Sequence, residues 1–189
     1  MRDRYDRTMT FAVLLVCTGN LCRSVAAEQI MRAVLPTRSV ELMSAGTHAR
    51  AGRPGHPLTL QVLADAGLTP TAHEAQRLVP EAVSVADLVL TATREHRLAV
   101  VEADPTAAPR TFTVLEFARL VSTAGSLPAS LVDLRERAAV ARAAAPATSD
   151  DDLVDPVDGG YDDHARMVAT LLPAVRTIAE AMSKVPAGV

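Results

Sequence analysis

The sequence predicts an α/β fold, a three-layer sandwich in which a parallel sheet of four strands is flanked by helices. Two observations predict it: short apolar runs of strand length alternate with segments of helical periodicity, and the alternation occurs four times. Such an order produces a parallel sheet joined by right-handed crossovers. With 189 residues in all, we expect a disordered arm over residues 1–9 and a single domain over residues 10–189.

The first strand and the first helix have the clearest patterns. Residues 10–16 form a continuous apolar run, which is typical of a strand covered on both faces. From Ser24 onwards apolar residues recur at helical spacing until Pro36, which should end the helix. The loop between them, residues 17–24, therefore joins a strand to a helix.

The later elements follow the same order. Further strands and helices are predicted, in chain order, over residues 39–44, 58–66, 85–91, 93–102, 110–114 and 115–121. The final helix is predicted over residues 162–182, and Pro173 inside it should produce a kink. Residues 123–149 depart from the alternation, with an Ala/Arg-rich helix predicted over residues 127–145.

Composition excludes several classes of protein. A net charge of −3 supplies no basic surface for nucleic acid or for an anionic membrane. No run of the sequence approaches the roughly 20 apolar residues of a membrane span, so we expect a cytoplasmic protein that binds neither partner. The chain has two cysteines, too few for a disulfide framework.

The loop after the first strand has the residue types of an anion site. Backbone N–H groups at a strand-to-helix junction converge on the helix N-terminus and can hold a phosphate-sized anion. Gly19 allows a tight turn, and Asn20 tolerates left-handed backbone angles. Arg23 can fold back over the hollow, with Cys17 at its floor. Loop N–H groups, Arg23 and the Ser24 hydroxyl would together stabilise a thiolate.

These residues resemble the signature loop of the low-molecular-weight protein tyrosine phosphatases, in a bacterial type with an extra segment before the Asp-Pro loop. The resemblance rests on several stretches, namely Cys17-Thr-Gly-Asn-Leu-Cys-Arg-Ser24, Ser44-Ala-Gly46, His73-Glu-Ala-Gln76, Asp87-Leu-Val-Leu-Thr91 and Asp155-Pro156. It implies a cysteine-dependent phosphomonoesterase with a phosphate-binding loop after the first strand.

The resemblance also implies a role for each matched residue. Cys17 would form a cysteinyl-phosphate, Arg23 would bind the phosphoryl oxygens, and Ser24 would stabilise the thiolate. Asp155 would protonate the leaving oxygen and then activate water. Phosphate binding and support of the loop would fall to Thr18, Gly19, Asn20, Leu21, Cys22, Ser24, Ser44 and His73. Cys22 resembles the second cysteine of the family, which can form a reversible disulfide with the nucleophile.

The walls of the substrate pocket depart from the family pattern. Relatives that accept phosphotyrosine carry aromatic residues after Asp-Pro and after the second strand, whereas this chain has Val157 and His48 at or near these places. His48, Val157 or Tyr161 would therefore form the wall. Gln76 stands where an arginine is common, which concerns the support of the loop only. The remaining histidines have no spacing typical of a metal site, and no metal or cofactor is expected.

Residues 123–149 enter the chain just before Asp155, so we expect this insertion near the rim of the active site. The substrate expected from the resemblance is a phosphotyrosine protein, and the chain would act as a monomer or weak dimer. A small phosphomonoester is the alternative substrate. An arsenate reductase lacks support because no third cysteine could complete its relay. A binding module without catalysis would not need Cys17, Arg23 and Asp155 together.

Overall fold

Four parallel strands form one sheet. Strand β1 (Phe11–Cys17) lies between β2 (Val40–Gly46) and β3 (Leu88–Thr91), and β4 (Thr111–Thr113) pairs with β3. Cys17 and Gly46 are opposite each other in the register of β1 and β2. Because all pairs are parallel, the carboxyl ends of the strands share one edge, and Cys17 lies on it.

The computed structural model describes residues 10–35, 40–122 and 127–186. The predicted arm, residues 1–9, lies outside this range, as do Pro36 and the predicted first residue of the second strand. The helices are α1 (Arg23–Val34), α2 (Pro57–Asp65), α3 (Pro80–Val85), α4 (Arg94–Ala103), α5 (Val114–Ser122), α6 (Leu131–Arg142) and α7 (Tyr161–Ser183).

The predicted three-layer arrangement is confirmed. Alternate residues of the fully buried strand β1 enter two separate apolar clusters. Val13 and Leu15 pack with α1, α2, α5 and α7, whereas Leu14 and Val16 pack with α3 and α4. A strand buried on both faces explains why its sequence is a continuous apolar run rather than an alternating one.

Several predicted boundaries were wrong. Val85 ends helix α3 instead of beginning a strand, and β3 begins at Leu88. Pro80 starts α3 at a position where its missing N–H is not needed, a signal that the prediction overlooked. Two short 3₁₀ helices, Pro105–Arg110 and Ser149–Asp151, were also missed. The last helix continues from Tyr161 to Ser183 with Pro173 inside it.

Helix α6, the helical part of the insertion, is held by hydrogen bonds to β4, to α5 and to the residue before β3. The Arg135 guanidinium donates to the Asp87 carbonyl, just before β3, at 3.0 Å. The Arg142 guanidinium donates to the carbonyl of Thr111, the first residue of β4, at 2.7 Å. The Arg142 guanidinium also pairs with the buried carboxylate of Glu116 in α5 at 2.8 Å.

The segment after α6 contacts the carboxyl ends of the strands. Leu153 N–H donates to the Ala92 carbonyl at 2.9 Å, and the Asp152 carboxylate accepts from Arg94 at the start of α4. Asp151, which is buried, pairs with Arg119 of α5 at 3.0 Å. These contacts fix the chain immediately before Asp155. None of the helices in the described ranges is both long enough and apolar enough to cross a membrane.

Candidate active site

The loop that follows β1 holds Cys17 at its base. Cys17 is the last residue of β1 and is 2% exposed, and α1 begins six residues later at Arg23. Asn20 has a φ of 52°, in the left-handed region that asparagine tolerates better than most residues. The strand, the left-handed residue and the helix start therefore give the chain the sharp reversal predicted from the sequence.

A hydroxyl is aimed at the Cys17 sulfur. Ser24 Oγ lies 3.0 Å from Cys17 Sγ and accepts a hydrogen bond from Asn20 Nδ2 at 2.9 Å. Because the Ser24 oxygen already accepts from the amide, its one proton is free to be donated to the sulfur. A hydrogen bond of this kind favours the thiolate.

Asn20 is the centre of a fully bonded network that braces the loop. Its Nδ2 group also donates to Ser44 Oγ at 3.0 Å, and its Oδ1 accepts from the Gln76 backbone N–H at 2.8 Å. His73 Nε2 lies 3.0 Å from the Asn20 carbonyl. Ser44 in turn donates to Glu28 at 2.6 Å. Gln76 makes this contact through its backbone N–H. The presence of glutamine where an arginine is common in the family therefore does not alter the contact.

Arg23 connects the loop to Asp155. Its Nη2 donates to Thr18 Oγ1 at 2.9 Å and forms an ion pair with Asp155. Its Nη1 reaches the Leu153 carbonyl at 3.4 Å. The Arg23 side chain is 6% exposed and the Asp155 side chain 37%. The fold thus brings together the three residues predicted to be catalytic, with Asp155 at the open side. Within the described ranges, the buried Nε of Arg23 has no partner and remains available as a donor.

The sequence-based prediction missed His96, which supports the same loop from α4. His96 Nε2 lies 2.8 Å from Thr18 Oγ1, and its Nδ1 lies 2.6 Å from Thr93 Oγ1. Since Arg23 donates to the Thr18 oxygen, the Thr18 proton can go to Nε2, and the Nδ1 proton then goes to Thr93. This arrangement requires a neutral imidazole. A single histidine on a predicted helix has no pattern from which this role could be read.

The titration of His96 should make stability depend on pH. Burial, helped by the positive charge of Arg23, lowers the pKa of His96 to about 4 from 6.5. The unfolded chain therefore binds a proton between these values that the folded chain does not, and this contribution to stability is lost as the pH falls from 6.5 to 4. At 1.36 kcal/mol per pKa unit the loss is about 3 kcal/mol.

We expect His96→Gln to remove this dependence. Urea unfolding of wild type and variant between pH 4 and pH 7 should show the wild-type advantage shrinking as the pH falls. Parallel stability curves for the two proteins would contradict the role assigned to the neutral imidazole.

Gly46, at the end of β2, lets the loop approach the sheet. A Cβ atom there would lie 2.5 Å from the Thr18 carbonyl oxygen and 2.7 Å from the Asn20 nitrogen. The next two residues donate backbone hydrogen bonds to the loop: Thr47 N–H to Cys17 O at 2.9 Å and His48 N–H to Thr18 O at 2.8 Å. The Gly46 that follows Ser44 and Ala45 is therefore required by close packing of two backbones.

Of the three predicted wall residues, His48 and Val157 lie near the loop and Asp155, whereas Tyr161 contacts α2. His48 is exposed beside the loop, and Val157, 37% exposed, follows Asp155 and donates its N–H to that carboxylate at 3.3 Å. The Tyr161 hydroxyl instead donates to Asp65 at 2.8 Å. Asp65 is at the end of α2 farther from the loop, about 13 Å along a nine-residue helix. The structure thus ties Tyr161 to α2 rather than to Cys17.

Cys22 is buried beside residues of α2 and α7. Burial raises the pKa of the Cys22 thiol to about 11, although a hydrogen bond with Thr59 opposes the change. The fold brings Cys22 together with His56 and His164, two histidines whose spacing gave no indication of a shared site. The spacing of these residues along the chain does not reveal that they meet in the fold.

Sequence comparison places the chain in a family. The profile described as low molecular weight phosphotyrosine protein phosphatase matches residues 12–128. This range contains the loop from Cys17 to Ser24 and covers more than half of the chain. The chain belongs to the low molecular weight phosphotyrosine protein phosphatase family.

Two curated relatives illustrate the range of activities in the family. A probable low molecular weight protein-tyrosine-phosphatase, EpsP, from Ralstonia nicotianae is 42% identical over 82 residues, which cover 43% of this chain and 55% of the relative. A protein-arginine-phosphatase from Geobacillus stearothermophilus is 37% identical over 110 residues, covering 58% of this chain and 72% of the relative. The match to several of these relatives, EpsP among them, spans only about half of their length.

Solved structures support the fold over a greater length. The YwlE arginine phosphatase from Geobacillus stearothermophilus superposes with a TM-score of 0.71 at 26% identity, covering 92% of this chain and 93% of that structure. The tyrosine phosphatase AmsI from Erwinia amylovora gives a TM-score of 0.71 at 21% identity, covering 95% and 97%. The second likeness concerns the fold alone.

Proposed function

We propose that this protein is a cysteine-dependent protein phosphatase that acts on phosphotyrosine through a cysteinyl-phosphate. The observation that carries the proposal is the convergence of three groups: the Cys17 sulfur with its Ser24 hydroxyl at 3.0 Å, the buried Arg23 guanidinium, and the Asp155 carboxyl at the open side. These are a nucleophile, an anion-binding cation and a proton donor within one loop cluster.

The first chemical step is attack of the Cys17 thiolate on phosphorus. The S–P bond forms while the bond to the leaving oxygen breaks, and the Asp155 carboxyl gives its proton to that oxygen. Arg23 and the N–H groups of the loop hold the three equatorial oxygens, whose charge they stabilise. The contact between Arg23 and Asp155 places both groups at the same side of the pocket, and in this step Arg23 binds the phosphoryl oxygens while Asp155 is protonated.

The second step releases phosphate. Asp155, now a carboxylate, takes a proton from water as the water oxygen attacks phosphorus, and the Cys17 sulfur leaves as a thiolate. The Ser24 hydroxyl stabilises that thiolate by donating its proton to the sulfur. The Ser24 oxygen already accepts a hydrogen bond from the Asn20 amide, which leaves the hydroxyl proton for the sulfur. The cycle needs no metal.

Phosphoarginine in protein is a second candidate substrate. The observation in its favour is the similarity to the protein-arginine-phosphatase of Geobacillus stearothermophilus over 72% of that protein, together with Val157 and Asp158 after Pro156, where an aromatic wall would stack on a phenol ring. His48 and Val157 would then form the polar and apolar sides of the pocket.

The compartment and the redox behaviour are also proposed. We place the protein in the cytoplasm, where thiols such as the buried Cys17 and Cys22 stay reduced. A peroxide would oxidise the Cys17 thiolate to a sulfenic acid, and attack by the Cys22 sulfur, with loss of its proton and of water, would form the Cys17–Cys22 disulfide, which stops the reaction until a thiol reductant breaks it. The chain would act as a monomer or weak dimer on phosphorylated protein, and small phosphomonoesters remain the alternative substrates.

A substrate panel distinguishes these possibilities. Phosphate release is measured from phosphotyrosine peptides, phosphoarginine peptides, sugar phosphates and an aryl phosphate. The proposal expects the highest kcat/KM on phosphotyrosine peptides. Higher kcat/KM on phosphoarginine would select the second candidate, release from small sugar phosphates alone would overturn the protein substrate, and no release from any of them would overturn the enzyme.

Asp155→Asn should lower kcat by about 10²–10³-fold on phosphotyrosine. The loss should be much smaller on an aryl phosphate with an acidic phenol, because that leaving oxygen needs little protonation. Asp158→Asn, in the same exposed loop, is the matched control and should leave kcat nearly unchanged. Equal losses on both kinds of leaving group would show that Asp155 is not the proton donor.

A further inference from the structure

Three potential ligand atoms converge behind the loop. One atom each from Cys22, His56 and His164 lie within 4.8 Å of one another. Cys22 ends the loop, His56 immediately precedes α2, and His164 is in the first turn of α7. Cys22 and His164 are buried and His56 is partly buried. None of the reaction steps above uses either histidine.

Two of these side chains carry buried nitrogens that lack a hydrogen bond in the described part of the chain: Nδ1 of His56 and Nε2 of His164. His164 is 0% exposed. A buried polar atom without a partner costs free energy, and such atoms are uncommon in folded proteins. Two of them beside one sulfur therefore require an explanation.

Thr59 orients the group from α2. Its Oγ1 lies 2.8 Å from Nδ1 of His164, and the same hydroxyl makes a hydrogen bond with Cys22. When the hydroxyl gives its one proton to the Cys22 sulfur, it accepts the proton on Nδ1 of His164. Nε2 then carries a lone pair. Metal-ligating histidines are held in this way by a hydrogen bond at their other ring nitrogen.

The rings of His56 and His164 are stacked face to face. Their centroids are 4.4 Å apart and their planes differ by 21°. In a tetrahedral zinc site, with Zn–N of about 2.0 Å and Zn–S of about 2.3 Å, ligand atoms lie about 3.5 Å apart. Because a bound metal lies in the plane of the imidazole that holds it, both rings would have to turn out of this stacked orientation to bind one ion.

We propose that Cys22, His56 and His164 form a zinc site beside the phosphate-binding loop. One thiolate and two imidazoles are ligands that Zn²⁺ favours, whereas Mg²⁺ and Ca²⁺ require oxygen ligands. On binding, the Zn–S bond forms as the Cys22 S–H bond breaks, and the proton passes to the buffer. A bound cation would hold the Cys22 sulfur and so prevent its disulfide with Cys17.

The test measures Zn²⁺ binding by the reduced full chain in competition with a chromophoric chelator. The expected result is one Zn²⁺ per chain. Cys22→Ser, His56→Asn and His164→Asn should each weaken binding at least tenfold. Cys17→Ser and His48→Asn are the matched controls, because they remove a thiol and an exposed imidazole outside the proposed site, and they should bind as wild type does.

Other results would overturn the site. These are loss of binding in Cys17→Ser with retention in Cys22→Ser, equal weak binding by all variants, or no binding by wild type. A second measurement on the wild type guards against variants that fail to fold: Co²⁺ should produce a thiolate-to-cobalt charge-transfer band. A spectrum without this band would also overturn the proposal. Neither measurement uses phosphatase activity, so the outcome is separate from the proposed reaction.

Discussion

Cys17→Ser should reduce phosphate release from an aryl phosphate by at least about 10⁴-fold. The serine hydroxyl is a far weaker nucleophile than a thiolate, and the groups around Cys17 are arranged for a thiolate. The Ser24 hydroxyl donates towards the sulfur at 3.0 Å, and no histidine lies within hydrogen-bonding distance of that atom among the contacts described. A serine at this position would therefore have no base to activate it.

The matched control is the other cysteine. Cys22→Ser changes the same atom five residues away in the same loop, and we expect a loss smaller than about tenfold because Cys22 takes no part in the bond-forming steps. Inorganic phosphate should still raise the melting temperature of Cys17→Ser, since Arg23 and the loop N–H groups remain. A similar loss in both variants would mean that the loop, and not the nucleophile, had been damaged.

Gly46→Ala should lower kcat/KM by about 10²-fold or more without any change in a reacting residue. The added Cβ would lie 2.5 Å from Thr18 O and 2.7 Å from Asn20 N, and both are backbone atoms that cannot rotate away. The loop must therefore move by several tenths of an ångström or more, and a displacement of about 1 Å in an active site can cost about 10²-fold in rate. Steady-state kinetics on the aryl phosphate measures the loss.

Gly55→Ala provides the control for that substitution. A Cβ atom at Gly55 would meet its nearest neighbours at 3.6 Å, which is ordinary van der Waals contact. Its kinetics and its melting temperature should stay close to those of the wild type. Wild-type activity in Gly46→Ala would contradict the close approach of loop and sheet on which the geometry of the site depends.

The phosphate-binding loop could be predicted because its determinants are local. The apolar run of β1, the residue at positive φ and the start of α1 are consecutive, so the position of Cys17 and Arg23 follows from a short stretch of chain. Asp155 came from a resemblance, since a lone Asp-Pro pair usually marks a turn. The beginning of β3 was missed because an apolar run that follows Pro80 fits either a helix end or a strand.

The other features of the site depend on tertiary contacts, which local sequence patterns do not predict. His96 reaches Thr18 from a separate helix, and Cys22, His56 and His164 meet only when α2 and α7 pack beside the loop. The side chains of α6 reach the Asp87 carbonyl before β3, the Thr111 carbonyl in β4 and the Glu116 carboxylate in α5, contacts that no local pattern predicts.

The most direct test of the account is to trap the phosphorylated intermediate. Asp155→Asn is mixed with an aryl phosphate that has an acidic leaving group, quenched in acid within milliseconds, and analysed by peptide mass spectrometry. Because attack needs little proton donation with this substrate while hydrolysis lacks its base, we expect one phosphoryl group on the peptide with Cys17. Release of phosphate with no phosphoryl group on Cys17 at any quench time, or a phosphoryl group on another residue, would contradict the account.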